Sequence, residues 1–153
     1  MLIFDTESDG LLYAKNGKPP ATKLHIMGWT TDGETYRTTT VPEKMCNVLD
    51  EYDMAGCHNS FRHDFPLLEK LYGYKYTGLK VDTLFLSWTL FPREPQHGLG
   101  YWGEKFGVPK VGVDEDQWID PDMTLMRERV IEDVKINWKL WKKQKQILEG
   151  LYT

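Results

Sequence analysis

The chain has 153 residues, of which 41% are hydrophobic and 27% are charged, and its formal net charge at pH 7 is -4. This length and composition predict a single globular domain over residues 1–153 and exclude a disordered chain. We expect a cytoplasmic protein with no membrane partner, because no apolar run approaches the ~20 residues of a membrane span and the N-terminus lacks the basic region of a signal peptide.

Three consecutive antiparallel strands are predicted in the N-terminal part of the chain. The first strand covers the apolar run at residues 2–4. The other two are the β-rich runs at residues 24–30 and 34–39, which flank Asp32-Gly33, a strong signal for a hairpin turn. Residues 14–20 are rich in turn-forming residues and are predicted to form a loop or hairpin tip.

Helices alternate with short strands in the rest of the chain. The predicted helices cover residues 42–52, 66–72, 98–106 and 122–148, and the predicted short strands cover residues 54–58 and the region near Val81. Asp82 is well placed to cap the helix that follows the second of these strands. The last helix has an apolar stripe whose members recur at intervals of three or four: Met126, Val130, Val134, Trp138 and Trp141. This order of elements predicts an α/β domain with a mixed central sheet.

Two carboxylates one residue apart, Asp5 and Glu7, directly follow the first apolar run. In a strand these side chains project to the same face, whereas Thr6 points to the other face. Neighbouring acids repel each other unless a cation neutralises them, and an oxygen-rich pair suits Mg²⁺ or Mn²⁺. Taken alone, however, the pair is more typical of a solvated strand end. The acidic balance disfavours a broad DNA-binding surface, yet bound divalent ions would allow nucleic acid as a substrate.

Two further acids, Asp64 and Asp133, complete an ordered pattern along the chain. Its three parts are Asp5-Thr6-Glu7 with Gly10-Leu11, then Asn59 with Asp64, and then Asp133 on the last predicted helix. This pattern resembles the DEDD, or DnaQ-like, superfamily of 3′-5′ exonucleases, and the resemblance covers nearly the whole chain. Segments around Asp82-Thr83 and His97-Gly98 resemble intervening segments in the proofreading domains of phage family-A DNA polymerases.

The resemblance implies a ribonuclease H-like α/β fold, in which helices flank a mixed five-stranded sheet with three antiparallel N-terminal strands. It also implies a metal-dependent 3′-5′ exonuclease that hydrolyses single-stranded or frayed ends, in proofreading or in DNA degradation. Single-stranded DNA is the implied substrate, with RNA left open, and a DNA polymerase is the implied partner. The implied location is the cytoplasm of a bacterial host or a phage-infected cell.

The resemblance assigns the acids to two Mg²⁺ or Mn²⁺ ions, which together activate a water and neutralise the charge on the cleaved phosphate. Asp5 is expected to contact both ions. Glu7 and Asp133 are expected to complete the ion on the nucleophile side, and Asp64 is expected to hold the other ion, partly through water.

Three further residues are implied at the substrate. The backbone near Thr6 and the side chain of Leu11 are expected to abut the terminal nucleotide. Asn59 is expected to lie near the scissile bond. The acidic loop at residues 114–120 contains Trp118, which is a candidate to cover the site.

One position departs from the family pattern. The family carries a Tyr four residues, or a His five residues, before its last acid, and this chain has Arg129 and Glu128 there. Loss of a positioned base ordinarily costs ~10²- to 10⁴-fold in rate. Arg129 shares a helix face with Asp133 and either contacts the cleaved phosphate, which we favour, or pairs with Asp133 when metal is absent. His97 is the first candidate for a replacement base, although a local hydrogen-bonding role is the simpler interpretation.

Two other functions stay open at this point. The second interpretation is a catalytically weakened nucleic-acid-binding or polymerase-partner module of the same fold. Such a module, however, has no reason to keep all four acids. A structure-specific endonuclease on the same scaffold is a third interpretation. Cys46 and Cys57 lack the spacing of a zinc site, so we expect both to be reduced.

Overall fold

A mixed five-stranded sheet is the centre of the structure, a computed structural model that describes residues 1–151. The strands are β1 (Leu2–Ser8), β2 (Leu24–Thr30), β3 (Arg37–Thr39), β4 (Met54–Cys57) and β5 (Leu79–Asp82). The helices are α1 (Pro42–Asp50), α2 (Asp64–Tyr72), α3 (Thr83–Leu90), α4 (Leu99–Phe106) and α5 (Met123–Gly150), and a short 3-10 helix covers Glu115–Trp118. Within these residues, no helix is both long enough and apolar enough to cross a membrane.

The strand order β3-β2-β1-β4-β5 places β1 in the middle of the sheet. β2 pairs antiparallel with β1 and with β3, whereas β4 is parallel to both β1 and β5. This arrangement confirms the predicted α/β domain with three antiparallel N-terminal strands. Parallel strands end at the same edge of a sheet, so the residues that follow β1, β4 and β5 are brought close together.

Both faces of β1 are covered, which explains its uninterrupted apolar start. Leu2 and Phe4 belong to the core cluster that includes residues of α1 and α2. Ile3 belongs to a second cluster with Val134 of α5. All three strand residues have 0% exposure, and a strand buried on both faces reads as a continuous apolar run. The polar side chains of β1 are confined to its C-terminal half.

The long helix α5 packs across β1 and β2. Gly28 on β2 permits this approach, because a Cβ there would lie 3.0 Å from Cγ1 of Val130. The predicted apolar stripe of α5 is buried except at Trp138, which is half-buried. The Trp138 ring covers Gly33, whose φ of 74° is in the left-handed region that favours glycine. The stripe therefore fixes how α5 lies on the sheet.

Several element boundaries differ from the prediction, and two of these differences have a local cause. β3 begins later, because the Asp32 carboxylate accepts hydrogen bonds from the backbone N–H groups of Glu34 and Thr35, both at 2.8 Å, and holds them in the turn. α2 begins at Asp64, ahead of Pro66. A proline in the first turn of a helix removes no intrahelical hydrogen bond, so the helix extends past it toward the N-terminus.

Asp82 caps α3 as predicted, and it also fastens a second segment. Its carboxylate accepts hydrogen bonds from the N–H groups of Leu84 and Phe85 at 2.9 and 3.4 Å. It accepts two more from the N–H groups of Asn59 and Phe61, both at 3.0 Å. The side chain is 2% exposed, so water competes little for these bonds. One carboxylate therefore clamps the segment after β4 to the start of α3.

We predict that Asp82→Ala lowers the free energy of unfolding by at least about 3 kcal/mol, because four backbone N–H groups lose the buried acceptor that they share. Asp82→Asn is expected to cost less, since its amide oxygen still accepts. Urea denaturation measures both. The matched control is Asp122→Ala, which removes the exposed N-cap of α5 and is expected to cost about 1 kcal/mol. An equal loss of unfolding free energy in the two alanine variants would show that Asp82 does not hold the two segments together.

Candidate active site

The four predicted acids converge where β1 meets α2 and α5. Carboxylate oxygens of Asp5, Glu7 and Asp133 all lie within 4.8 Å of one another. Oxygens of Asp5 and Asp64 lie within that same distance of each other and of the Cys57 sulfur. Asp5 therefore belongs to two clusters, and each of them is compact enough to hold a metal ion.

Burial and mutual repulsion raise the pKa values of these acids. Burial raises the pKa of Glu7 to about 7, and the neighbouring Arg129 guanidinium only partly opposes this effect. Burial also raises the pKa of Asp5 well above its ordinary value, and the charges of Glu7, Asp133 and Asp64 add to the shift. The pKa values of Asp64 and Asp133 are raised by burial as well. Without a cation, ionisation of all four acids together is therefore disfavoured.

The donor set fits a hard divalent cation. Asp133 Oδ1 is buried and has no hydrogen-bond partner in the part of the chain that the structure describes, so an additional group is needed to satisfy it. The Thr6 hydroxyl donates to Asp64 Oδ1 at 2.5 Å and orients that carboxylate. Burial raises the pKa of the Cys57 thiol, which stays protonated and lies 3.6 Å from Asp5 Oδ1 as a weak donor. The remaining donors are carboxylate oxygens, which Mg²⁺ and Mn²⁺ prefer.

Two cationic side chains offset part of the negative charge, and one has a partner that differs from the expectation. Arg129 Nε lies 3.0 Å from Glu7 Oε1, so Arg129 pairs with Glu7 and not with Asp133. Lys110 Nζ lies 3.7 Å from Asp133 Oδ2, and thus Lys110 takes the place that the alternative interpretation gave to Arg129. The reason is that α5 runs opposite to β1. Glu7, which lies beyond Asp5 on β1, is therefore level with the helical turn that precedes Asp133.

The Arg129 guanidinium is held by more than its ion pair. It donates a hydrogen bond to the carbonyl oxygen of Val111 at 2.5 Å. Its central carbon lies 4.9 Å from the centroid of the Trp118 ring, in a cation–π contact. The Trp118 carbonyl oxygen in turn lies 2.6 Å from Nε2 of the buried His25. These contacts fasten the segment that contains Trp118 beside the acids, where the sequence analysis places a covering residue.

A cleft of about 1020 Å³ opens at the acids. One wall is formed by the loop at residues 9–19 and another by the segment at residues 110–119. The Nζ of Lys18 lies 2.9 Å from Oε1 of Glu115, so an ion pair between largely exposed side chains joins these two walls. Tyr13, which is 72% exposed, projects from the first wall. The acids thus lie in an open but bounded groove.

The predicted substrate-binding residues all line this cleft: Thr6, Leu11, Asn59 and Arg129. Leu11 is 53% exposed, so an apolar surface is available to a ligand there. Asn59 has a φ of 67°, which is in the left-handed region. Its side-chain oxygen is buried and has no hydrogen-bond partner within residues 1–151. A substrate N–H group or a water would satisfy this acceptor.

His58 and His97 make local hydrogen bonds, and His97 is not among the residues that line the cleft. His97 Nδ1 lies 2.7 Å from Ser87 Oγ, which also accepts a hydrogen bond from Trp102 Nε1 at 3.0 Å. The His97 carbonyl accepts from Nε2 of His58 at 2.9 Å. Burial lowers the pKa of His58 to about 4, so its ring is neutral at pH 7. His58 and His63 both line the cleft.

The sequence analysis missed the lysines of the cleft. Lys15 and Lys18 lie in one wall and Lys110 in the other. The sequence near these lysines contains loop-forming residues, Gly17 and Pro109, and so indicates only that the lysines lie in loops. A loop signal does not say which surface the loop covers, so these positions carry no sequence-level indication of a site.

No protein-family model matches the sequence, and no curated protein matches it at a significant level. Solved structures do match the fold. One is the family B DNA polymerase from the hyperthermophilic archaeon Pyrobaculum calidifontis, with a TM-score of 0.70 and 20% identity over 93% of this chain and 24% of that chain. Another is the apo form of a nuclease, with a TM-score of 0.70 and 18% identity over 97% of this chain and 74% of that chain.

A further match is Exonuclease X in complex with 5′ overhanging duplex DNA, with a TM-score of 0.46 and 14% identity over 87% of this chain and 98% of that chain. The chain spans about a quarter of the length of the polymerase. At these identities the likeness concerns the fold. Together with the strand order, it shows that this chain has the predicted ribonuclease H-like α/β fold.

Proposed function

We propose that the chain is a divalent-metal-dependent nuclease and, more specifically, a 3′-5′ exonuclease that acts on single-stranded or frayed ends. The observation that carries the proposal is the sharing of Asp5 between two acidic clusters at an open cleft. The order of the four acids in the sequence supports the same activity, and the 3′-5′ polarity rests on that resemblance. The fold supplies a scaffold of the kind seen in a nuclease and a DNA polymerase.

The four carboxylates would hold two ions of Mg²⁺ or Mn²⁺. Asp5 would contribute to both ions, Glu7 and Asp133 to one of them, and Asp64 to the other. This division follows the two clusters of oxygens that lie within 4.8 Å of one another. When bound, such ions supply a nucleophilic water at neutral pH and neutralise charge on the phosphate. The unpartnered Oδ1 of Asp133 and the raised pKa values of the acids both support a cation at this place.

Arg129 and Lys110 would change partners when the site is filled. In the structure they pair with Glu7 and Asp133. A cation at these carboxylates would release both side chains, and both already line the cleft. Each is then placed to meet a substrate phosphate, for which guanidinium and ammonium groups are suitable partners. Arg129 would keep its position through its contacts with the segment at residues 111–118.

A single strand is the proposed form of the substrate. The ion pair between Lys18 and Glu115 joins two walls of the cleft and would limit its width. A cleft of limited width favours a flexible single strand over a rigid duplex. The exposed ring of Tyr13 offers a surface on which a base would stack. DNA or RNA would fit this description. Cytoplasmic proofreading or DNA degradation beside a DNA polymerase stays a prediction from the sequence resemblance.

A nucleic-acid-binding module without turnover is the second candidate function. The observation that favours it is the Arg129–Glu7 ion pair, because a cation of the chain itself occupies one of the proposed ligands. Such a module would bind oligonucleotides through the same cleft and leave them intact. Turnover in the presence of metal separates the two candidates.

The proposed function predicts that the protein shortens a 5′-labelled single-stranded oligonucleotide from its 3′ end in Mg²⁺ or Mn²⁺. Asp5→Asn is expected to lower the rate at least ~10³-fold, because the ligand common to both clusters is lost. Denaturing gels measure the products. Asp120→Asn, which changes an exposed acid outside both clusters, is the control and is expected to keep full activity. Absence of degradation with either metal would contradict a nuclease, and cuts in a circular single strand would contradict an exonuclease.

A second prediction concerns Arg129. We expect Arg129→Ala to bind Mn²⁺ about tenfold more tightly, since Glu7 loses its competing cation, and to raise the KM for an oligonucleotide, since a phosphate partner is lost. Isothermal titration calorimetry and steady-state kinetics measure these effects. Arg127→Ala is the matched control on the same helix, where the side chain contacts Thr38 at 3.1 Å. Unchanged Mn²⁺ affinity and unchanged KM would rule out both roles.

A third prediction concerns the replacement base. Because the His97 ring contacts Ser87, we expect His97→Ala to reduce kcat less than about tenfold, which is below the ~10²- to 10⁴-fold loss expected for a general base. We expect His63→Ala, at a residue that lines the cleft, to cost more. Single-turnover rates at saturating Mn²⁺ compare the two variants. A loss above ~10²-fold in His97→Ala, with Mn²⁺ binding intact, would instead assign the base to His97.

A further inference from the structure

A second cluster of aromatic side chains lies outside the cleft, on the loop before α2 and on α3. The rings of Phe61 and Phe85 have centroids 5.4 Å apart, and those of Phe85 and Trp88 are 5.0 Å apart. The Arg62 guanidinium lies over two of these rings, 5.2 Å from the centroid of Phe85 and 5.7 Å from that of Trp88. We refer to Phe61, Arg62, Phe85 and Trp88 as the aromatic platform.

The platform is open to solvent and carries positive charge. Phe61 is 46% exposed and Trp88 is 40% exposed, which is unusual for large apolar side chains that serve only the core. Arg62 is exposed, and no ion pair of Arg62 is found among the described residues. On a chain of net charge -4, this group is a cation without an acidic partner.

The platform is next to the cleft lining in the chain. Asn59 and His63 line the cleft, and Phe61 and Arg62 lie between them in the chain. The Asp82 carboxylate binds the N–H groups of the 59–61 segment and also those at the start of α3. The two elements that carry the platform are therefore fastened to each other and to the wall of the site.

We propose that the aromatic platform binds bases of a single-stranded nucleic acid beyond the nucleotides held in the cleft. This inference rests on the proposed function, because it assigns a second contact for the same substrate. Stacking on aromatic rings tolerates every base, and alanine substitution typically costs roughly 5- to 150-fold in affinity per stacked base. Arg62 adds a planar cation that pairs with a phosphate or stacks on a base.

The chemistry of the platform favours nucleic acid over a protein occupant. The exposed rings of Phe61 and Trp88 form a small patch, whereas a stable protein interface buries about 800 Å² on each partner. A guanidinium stacked across two rings offers a charge complementary to phosphate. A strand that contacts both surfaces would follow the segment at residues 59–63, which carries residues of each.

The test measures the affinity of short and long strands separately. Fluorescence anisotropy with phosphorothioate-linked oligothymidylates of 3 and 12 nucleotides gives dissociation constants without cleavage. Wild-type protein is expected to bind the longer strand at least about tenfold more tightly, and Phe61→Ala, Arg62→Ala and Trp88→Ala are each expected to lose most of this gain. Their affinity for the shorter strand and their hydrolysis of unmodified trithymidylate are expected to stay unchanged, which shows that the variants are folded.

Two controls lie at the opposite edge of the sheet. Val41→Ala removes an exposed apolar side chain, and Arg37→Ala removes an exposed arginine on β3; neither is expected to change binding of either strand. The proposal is overturned if the gain is absent in wild type or persists in all three platform variants. Self-association that Trp88→Ala abolishes in sedimentation would also overturn it, in favour of a second copy as the occupant. Failure of wild type to hydrolyse any oligonucleotide contradicts the proposed nuclease instead, while the binding comparison still decides the platform.

Discussion

The crowding of four acids around Asp5 is the constraint on which the site depends. Their oxygens lie within 4.8 Å in two clusters, and burial with mutual repulsion raises their pKa values. An arrangement of this kind is costly without a cation. In the structure Arg129 and Lys110 provide part of the compensation through ion pairs with Glu7 and Asp133. The fold thus holds the acids together, and the divalent cations that we propose would satisfy them.

The acids lie on strands and helices, whereas loops form the walls of the cleft. The buried strand β1 and the helix α5 fix three of the acids, and α2 supplies the fourth at its first residue. Loops at residues 9–19 and 110–119 form walls of the cleft. The Asp82 carboxylate joins the segment at residues 59–61, which precedes α2, to the start of α3. In the proposed nuclease, a site on rigid elements would keep its geometry while the loops meet the substrate.

The elements were predictable where the pattern is local and strong. The apolar start of β1, the Asp32-Gly33 turn and the stripe of α5 follow from burial and periodicity, and the structure confirms them. The convergence of Asp5 and Asp133 followed from the order of the motifs, which a resemblance supplies and periodicity does not. The detailed extent of β3 was wrong, because a side chain, Asp32, took backbone groups that a strand would have used. Local competition of this kind is not visible in a hydrophobic pattern.

The partners of the cationic side chains were not predictable. Helical spacing relates Arg129 to residues on its own helix, whereas its actual partner, Glu7, lies on β1 and becomes its neighbour only through the direction of α5. Lys110 lies in a loop without periodicity, so its contact with Asp133 depends on tertiary structure alone. The aromatic platform likewise combines residues from two elements that one buried carboxylate, Asp82, brings together.

The most direct measurement of the central claim is an anomalous difference map from a crystal grown with Mn²⁺. We expect two peaks that share Asp5, with Glu7 and Asp133 at one and Asp64 at the other. We also expect that Arg129 no longer pairs with Glu7. Absence of both peaks, or Mn²⁺ bound only away from Asp5, would contradict the assignment of these acids as a metal centre.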